Sequence, residues 1–211
     1  QCHRAIDLAF RRIDALWTRR RRRGAGGSAH GDLHALLSAM DEHLDRLRRA
    51  LPEGDSAATR EKRLHVLCQQ GRTEKRRAYI LFHEGDQTWT EALLRARRHY
   101  ADAARLQVTW HWPLTQLLSI DEMLGAPPPG LQERWIAARL SAETDLQSPS
   151  ETIRGWAHGS LAELHLLAPR ARGDEDHGAR ARAHAAALQE LAGAGAMQVE
   201  RTRSQIERYL D

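Results

Sequence analysis

The sequence predicts an all-α fold, arranged as an antiparallel array of helical hairpins that ends in a C-terminal capping helix. Residues that favour helices (Ala, Leu, Arg, Glu and Gln) dominate nearly all of the 211-residue chain. Strand signals are missing, because valine occurs only at Val66, Val108 and Val199 and no long run alternates β-branched with polar residues. Small and apolar residues also recur at a constant interval, which indicates an internal repeat.

Composition restricts the classes of partner. The chain has 32 Lys+Arg and 28 Asp+Glu, a net charge of +4. Because carboxylates are interspersed with the basic residues, this charge is weak evidence for nucleic-acid binding. No apolar run is long enough for a transmembrane helix, so no membrane partner is expected. The two cysteines, Cys2 and Cys68, give no disulfide framework, and we expect a cytoplasmic protein.

The N-terminal part predicts two helices. The first covers about residues 2–20, with Phe10, Ile13 and Trp17 at helical spacing. An Arg/Gly-rich loop at 19–28 follows, and the second helix covers about 31–51. We therefore expect a helical pair at 1–55 and the repeats, with their capping helix, at 56–211. Ser56 is a candidate cap for the first helix of the second region.

The repeat rests on a column of small residues. One constant shift superposes Trp112 on Trp156 and Thr115 on Gly159, and its reverse superposes Thr115 on Gly71. A small residue must recur where two helices cross closely, since a large side chain would push their axes apart. Gly71, Thr115 and Gly159 are therefore predicted to lie at helix crossings, with Trp112 and Trp156 in the inter-helix core.

A second type of helix alternates with the first. Its residues are Ala96, Tyr100 and Ala103 in one unit, Ala138 and Ala142 in the next, and a looser copy at Ala183 and Ala187. Short turns separate the helices at Glu84–Asp86, 125–130, Ser148–Pro149 and Pro169–Gly173. The last helix, Met197–Leu210, is predicted to cap the open end of the array.

The alternation of Trp-x2-small with Ala-x3-Tyr-x2-Ala resembles tetratricopeptide (TPR) repeats over about residues 57–210, in three degenerate units. The segments that begin at Trp156 and Val199 are similar to divergent bacterial TPR/TRAF-binding-type domains associated with caspase-like (CHAT) conflict-system effectors. The resemblance implies a non-catalytic interaction or regulatory module of a bacterial signalling or defence protein. It also implies that the partner is a caspase-like peptidase or an adjoining effector domain.

The resemblance further implies a binding groove, because the first helix of each TPR hairpin lines a concave surface. Arg72, Lys75 and Arg76 share one helical stripe and would lie in that groove together with Gln116 and Ser160. Arginine presents paired donors that suit an acidic peptide or a phosphate. Two other interpretations stay open: a solvated face paired with carboxylates, and an arginine-mediated binder of nucleic acid or a nucleotide messenger, which is disfavoured.

Catalytic and metal-binding patterns do not form. The histidine pairs His30/His34, His158/His165 and His177/His184 have helical spacing, but no His-Glu-x2-His string is present. Cys68 lies in the middle of a helix, and Ser160 lacks the Gly-x-Ser-x-Gly setting of a nucleophile. We therefore expect surface or interface histidines, no enzyme, no metal and no cofactor.

Overall fold

In a computed structural model, the structure describes residues 8–17, 29–54, 56–125, 129–168, 176–192 and 197–210. Every regular element in these ranges is an α-helix, so the all-α prediction is confirmed. Within the same ranges, no helix combines the length and the apolarity that crossing a membrane requires. The predicted Arg/Gly-rich loop, the turn at Pro169–Gly173 and Cys2 lie outside them. The helices are α1 (8–17), α2 (Ala29–Arg49), α3 (Ala57–Glu84), α4 (Trp89–Leu106), α5 (His111–Met123), α6 (Leu131–Asp145), α7 (Glu151–Leu166), α8 (His177–Ala192) and α9 (Met197–Leu210).

Local chemistry sets several helix ends. Ser56 caps α3 as predicted, because its Oγ accepts a hydrogen bond from the Thr59 backbone N–H at 3.2 Å. Gly85 ends the same helix with φ 73°, a left-handed conformation that glycine adopts without strain. Pro113 lies in the first turn of α5, where its missing N–H costs no hydrogen bond.

The chain divides into two compact units, Gln1–Ala96 and Arg97–Asp211, and the boundary in the chain falls within α4. The domain boundary that the sequence predicts at residue 55 stays a prediction. Unit 1 holds an apolar core to which α1, α2 and α3 contribute. The buried members of that core are Phe10, Ile13, Trp17, Leu33, Leu37, Met40, Leu44 and Ile80.

In unit 2, α7 is the central helix. It packs against α6 and α8, its neighbours in the chain, and against α5 and α9, which are two helices away. Its residues 157 and 159–165 are all buried, as are residues 113–121 of α5. Because these stretches include polar residues, the interior of unit 2 is not purely apolar.

The alternating helices bury the predicted alanine positions in two cases of three. Ala96, Ala138 and Ala142 are fully buried, in α4 and α6. The looser third copy does not share this burial, since Ala183 is exposed and Ala187 is half-buried. In α8 the buried positions are Ala181 and Leu188 instead.

Candidate functional site

The three small residues of the repeat column are all buried, Gly71 in unit 1 and the other two in unit 2. Thr115 donates its hydroxyl to the backbone carbonyl of His111 at 2.9 Å, one turn earlier in α5. Gly159 lies at a close approach: a Cβ placed there would lie 2.6 Å from Thr202 Oγ1 of α9 and 3.7 Å from Leu188 Cδ2 of α8. Gly159 therefore occupies a tight helix contact.

The aromatic packing residues have different surroundings. Tyr100 is fully buried, and its ring meets the half-buried ring of Trp112 edge-on with centroids 5.7 Å apart. Trp156 is also half-buried, and the Arg201 guanidinium lies 5.4 Å from the centre of its ring. The two tryptophans that the repeat superposes thus contact an aromatic ring in one case and a cation in the other.

The basic stripe of α3 lies against the body of unit 1. The guanidinium of Arg72 stacks on the Phe10 ring, 3.7 Å from its centre. Arg76 is buried, and its Nη2 lies 2.6 Å from Asp14 Oδ1. Lys75 is buried as well. Arg72 and Arg76 therefore connect α3 with α1.

The neighbouring cations of unit 1 are also held in ion pairs. Arg77 bonds both Asp41 of α2 and Glu74, and Arg95 Nε lies 2.9 Å from the other oxygen of Glu74. Burial raises the pKa of the Asp41 carboxyl above its ordinary value, against the effect of the nearby Arg77. The network connects α2, α3 and α4 within the unit.

Gln116 and Ser160, the predicted groove residues of unit 2, are buried. Gln116 Nε2 lies 3.4 Å from both oxygens of the Glu163 carboxylate, and Gln205 Nε2 lies 3.3 Å from Oε1. Glu163 is itself buried, on the central helix α7. Helices α5, α7 and α9 therefore meet at the Glu163 carboxylate, which accepts hydrogen bonds from two side-chain amides.

Four of the five predicted groove residues are thus buried, and they are distributed over both units. Their role in holding a partner stays a prediction. Because of their burial, a partner would contact them only after the surrounding helices separate.

Four histidines of unit 2 form a cluster that the sequence reasoning missed. His158 and His165 of α7 face His184 and His177 of α8; we call these four rings the histidine column. The Nδ1 atoms of His158 and His184 are 3.0 Å apart, and those of His165 and His177 are 3.1 Å apart. The rings of His165 and His184 stack with centroids 5.6 Å apart and 7° between their planes.

Trp135 of α6 closes one end of the column, edge-on to His165 and His177. Burial lowers the pKa of His165 to about 4, helped by His184 and His177, and burial likewise lowers the pKa of His158 and His184. These three rings are therefore neutral at pH 7. The sequence signal was present, because both helices carry histidines two turns apart, but which helices face each other was unknown.

An exposed apolar surface lies on the outer side of α6. Ile136 and Leu140, one turn apart, are 37% and 52% exposed, and they point away from buried Trp135 and Ala138. We call Ile136 and Leu140 the α6 apolar patch.

Other side chains that could act as a nucleophile or bind a metal are buried or have hydrogen-bond partners nearby. Burial raises the pKa of the Cys68 thiol, which keeps it protonated and unreactive. In the turn at Glu84–Asp86, Glu84 lies 3.0 Å from His34 Nε2, and the Asp86 carboxylate accepts hydrogen bonds from Thr88. No group of three or more metal-ligating side chains with suitable geometry occurs in the described part of the chain.

Comparison of the chain with protein-family models, with curated proteins and with solved structures found no match in any of the three.

Proposed function

We propose that the chain is a non-catalytic protein-interaction module and that unit 2 contacts its partner through the α6 apolar patch. The observation that carries the proposal is the pair of large aliphatic side chains, Ile136 and Leu140, exposed one turn apart on a helix whose opposite side is buried. Contiguous exposed apolar groups are typical of surfaces that a partner covers. The matching ligand is a partner segment that presents its own apolar side chains at the same spacing.

We further propose that the helices follow a TPR-like hairpin array. In such an array each helix packs against its chain neighbours and against the helix two positions away. Contacts of α5 with α6 and α7, and of α7 with α8 and α9, support this arrangement in unit 2. The resemblance of the Trp156 and Val199 segments supports a caspase-like peptidase, or an adjoining effector domain of a bacterial signalling or defence protein, as the partner.

The arginine-based alternative has less support. Arg76, Arg77 and Arg95 of unit 1 are held by Asp14, Asp41 and Glu74. A phosphate would have to displace these carboxylates before it could bind the guanidinium groups. We therefore propose that recognition depends on apolar contacts rather than on these three arginines.

The experiment places a photo-crosslinking benzophenone side chain at position 140 and, as a matched control, at position 94. Leu94 of α4 is also an exposed leucine in a helix, 47% exposed against 52% for Leu140. In the native host we expect position 140, and not position 94, to capture one defined protein. An additional Ile136→Asp change should reduce that capture by about 30-fold, since a charge would be buried in an apolar contact.

Two results would contradict the proposal. One is capture of the same set of proteins from positions 94 and 140, and the other is capture that Ile136→Asp leaves unchanged. Because Ile136 is only 37% exposed, Ile136→Asp should lower the free energy of unfolding by about 1–2 kcal/mol, and its circular-dichroism spectrum must match that of the parent at the temperature of the experiment. Loss of capture would then be a loss of binding and not of folding.

A further inference from the structure

The histidine column sets a protonation requirement on the packing of α7 with α8. Each Nδ1···Nδ1 contact, at 3.0 Å and 3.1 Å, is a hydrogen bond only if one nitrogen donates a proton and the other offers a lone pair. A pair in which both rings are protonated has no lone pair to offer. Such a pair would instead bring two positive charges within one ring's width of each other.

We infer that the histidine column is an acid-sensitive latch: neutral rings hold α8 against α7, and protonation of the facing pairs releases α8. The two pairs couple through the stacked rings of His165 and His184, so a charge gained by one pair is felt by the other. Release of α8 would expose the apolar positions that it buries, including Leu188 and Ala181.

The charged groups that face the column add to the repulsion. Arg154 of α7 faces His158, Arg180 of α8 faces His165 and His184, and Arg139 of α6 faces His165. Asp176, at the start of α8, accepts a hydrogen bond from the Ala179 backbone N–H as a helix cap. From α9, Arg201 lies over the Trp156 ring. A proton added to the column therefore meets guanidinium groups from three helices.

Two buried carboxylates of unit 2, those of Glu163 and Asp121, bind groups other than the histidines. Glu163 of α7 receives the amides of Gln116 from α5 and Gln205 from α9. Asp121 of α5 receives the guanidinium groups of Arg97 and Arg134. Neither carboxylate is among the groups that shift the pKa of His158, His165 or His184, so they do not offset the charge that the column would gain.

The direction of the pH effect follows from linkage. The folded-state pKa of His165, about 4, lies below its unfolded value of 6.5, so the unfolded state takes up the proton first. Stability is therefore full above pH 6.5 and is lost as the pH falls towards 4. His165 alone would raise the equilibrium constant for opening by about 30-fold at pH 5, and His158 and His184 would add to this in the same direction.

The test is hydrogen–deuterium exchange of the full chain at pH 7.5 and pH 5, corrected for the intrinsic exchange rate at each pH. We expect the amides of α8 (His177–Ala192) to lose at least about 30-fold in protection at pH 5, while those of α5 (His111–Met123) keep most of theirs. Unchanged protection of α8 would overturn the inference. Simultaneous loss in α5 and α8 would also overturn it, because that result indicates global unfolding.

A variant pair checks that the column is responsible. His184→Gln removes the ring that contacts both His158 and His165, and it should reduce the pH-dependent loss of protection in α8 severalfold. His65→Gln, in unit 1 beside Glu61, is the control and should leave that loss unchanged. Equal pH dependence in both variants would contradict the latch.

A metal titration gives an independent check. One equivalent of Zn²⁺ at pH 7.5 should leave the melting temperature and the α8 protection unchanged, since the described part of the chain holds no group of three or more side chains arranged to bind a metal ion. A Zn²⁺-dependent rise in the melting temperature that His184→Gln abolishes would overturn the inference, because the column would then be a metal site. The wild-type exchange measurement needs no variant, so the latch stays testable even if His184→Gln fails to fold.

Discussion

At the scale of single residues, Gly159 decides how closely α7 and α9 approach. Because Gly159 has no side chain, there is room for Thr202, whose Oγ1 would lie only 2.6 Å from a Cβ at position 159. Gly155, one turn earlier in the same helix, has only an ordinary contact at 3.6 Å from the Leu188 side chain. The two glycines therefore lie on the same face of α7 but differ in the space around them.

We expect Gly159→Ala to lower the free energy of unfolding by about 1–2 kcal/mol, because the new methyl group overpacks the contact with Thr202. Gly155→Ala should instead be neutral or stabilise by up to about 1 kcal/mol through the helix propensity of alanine. Urea denaturation of both variants measures the difference. Adding Thr202→Ala to Gly159→Ala should recover the loss, and a double variant as weak as Gly159→Ala would refute the steric cause.

At the scale of helices, the Asp121 carboxylate forms ion pairs that link α5 with α4 and with α6. Asp121 of α5 is 1% exposed. It receives Arg97 Nε of α4 at 2.6 Å and Arg134 Nη1 of α6 at 2.8 Å, one guanidinium on each oxygen. A buried charge held in this way is costly to leave half-paired, so these two ion pairs favour the packing of α4 and α6 against α5.

Asp121→Asn keeps the shape of the side chain and removes its charge. We expect a loss of about 2–4 kcal/mol in the free energy of unfolding, below the upper end for buried pairs because both arginines keep partial contact with water. Asp102→Asn is the matched control: Asp102 pairs with Arg105 in a surface bridge, and its loss should cost less than about 1 kcal/mol. Similar losses in the two variants, measured by thermal denaturation, would show that burial does not set the strength of the pair.

At the scale of the whole molecule, the net charge of +4 says less about partners than its distribution does. Among the described residues, arginines of α3 and α4 that lie close together in the sequence are held in separate ion pairs, such as Arg76 with Asp14 and Arg97 with Asp121. Phosphate binding requires guanidinium groups that are free to reach a ligand. Paired arginines contribute little to such a surface.

We therefore expect weak binding of nucleic acid. A fluorescently labelled 20-nucleotide single strand should show no saturable change in anisotropy with the protein at 150 mM salt. Any binding at 20 mM salt should have a shallow salt dependence, with about one or two ions released. Saturable binding at 150 mM salt with a steep salt dependence would favour the arginine-based alternative over the apolar-patch proposal.

The sequence by itself determined the all-α class and several helix ends. The cap at Ser56, the stop at Gly85, the early Pro113 and the bounds Met197–Leu210 were all readable from residues close together in the chain. This was so because helix propensity and capping act over one or two turns, and the local signals agree with one another.

Only the tertiary structure decided which side chains meet. The histidine column, the two ion pairs of Asp121 and the burial of Lys75, Arg76, Gln116 and Ser160 depend on which faces of distant helices pack together. Periodicity shows that a helix has an inner stripe, but it does not show which other helix covers that stripe. The physical reason is that a buried polar group is stable only beside a specific partner, and the chain brings that partner near only when the helices pack.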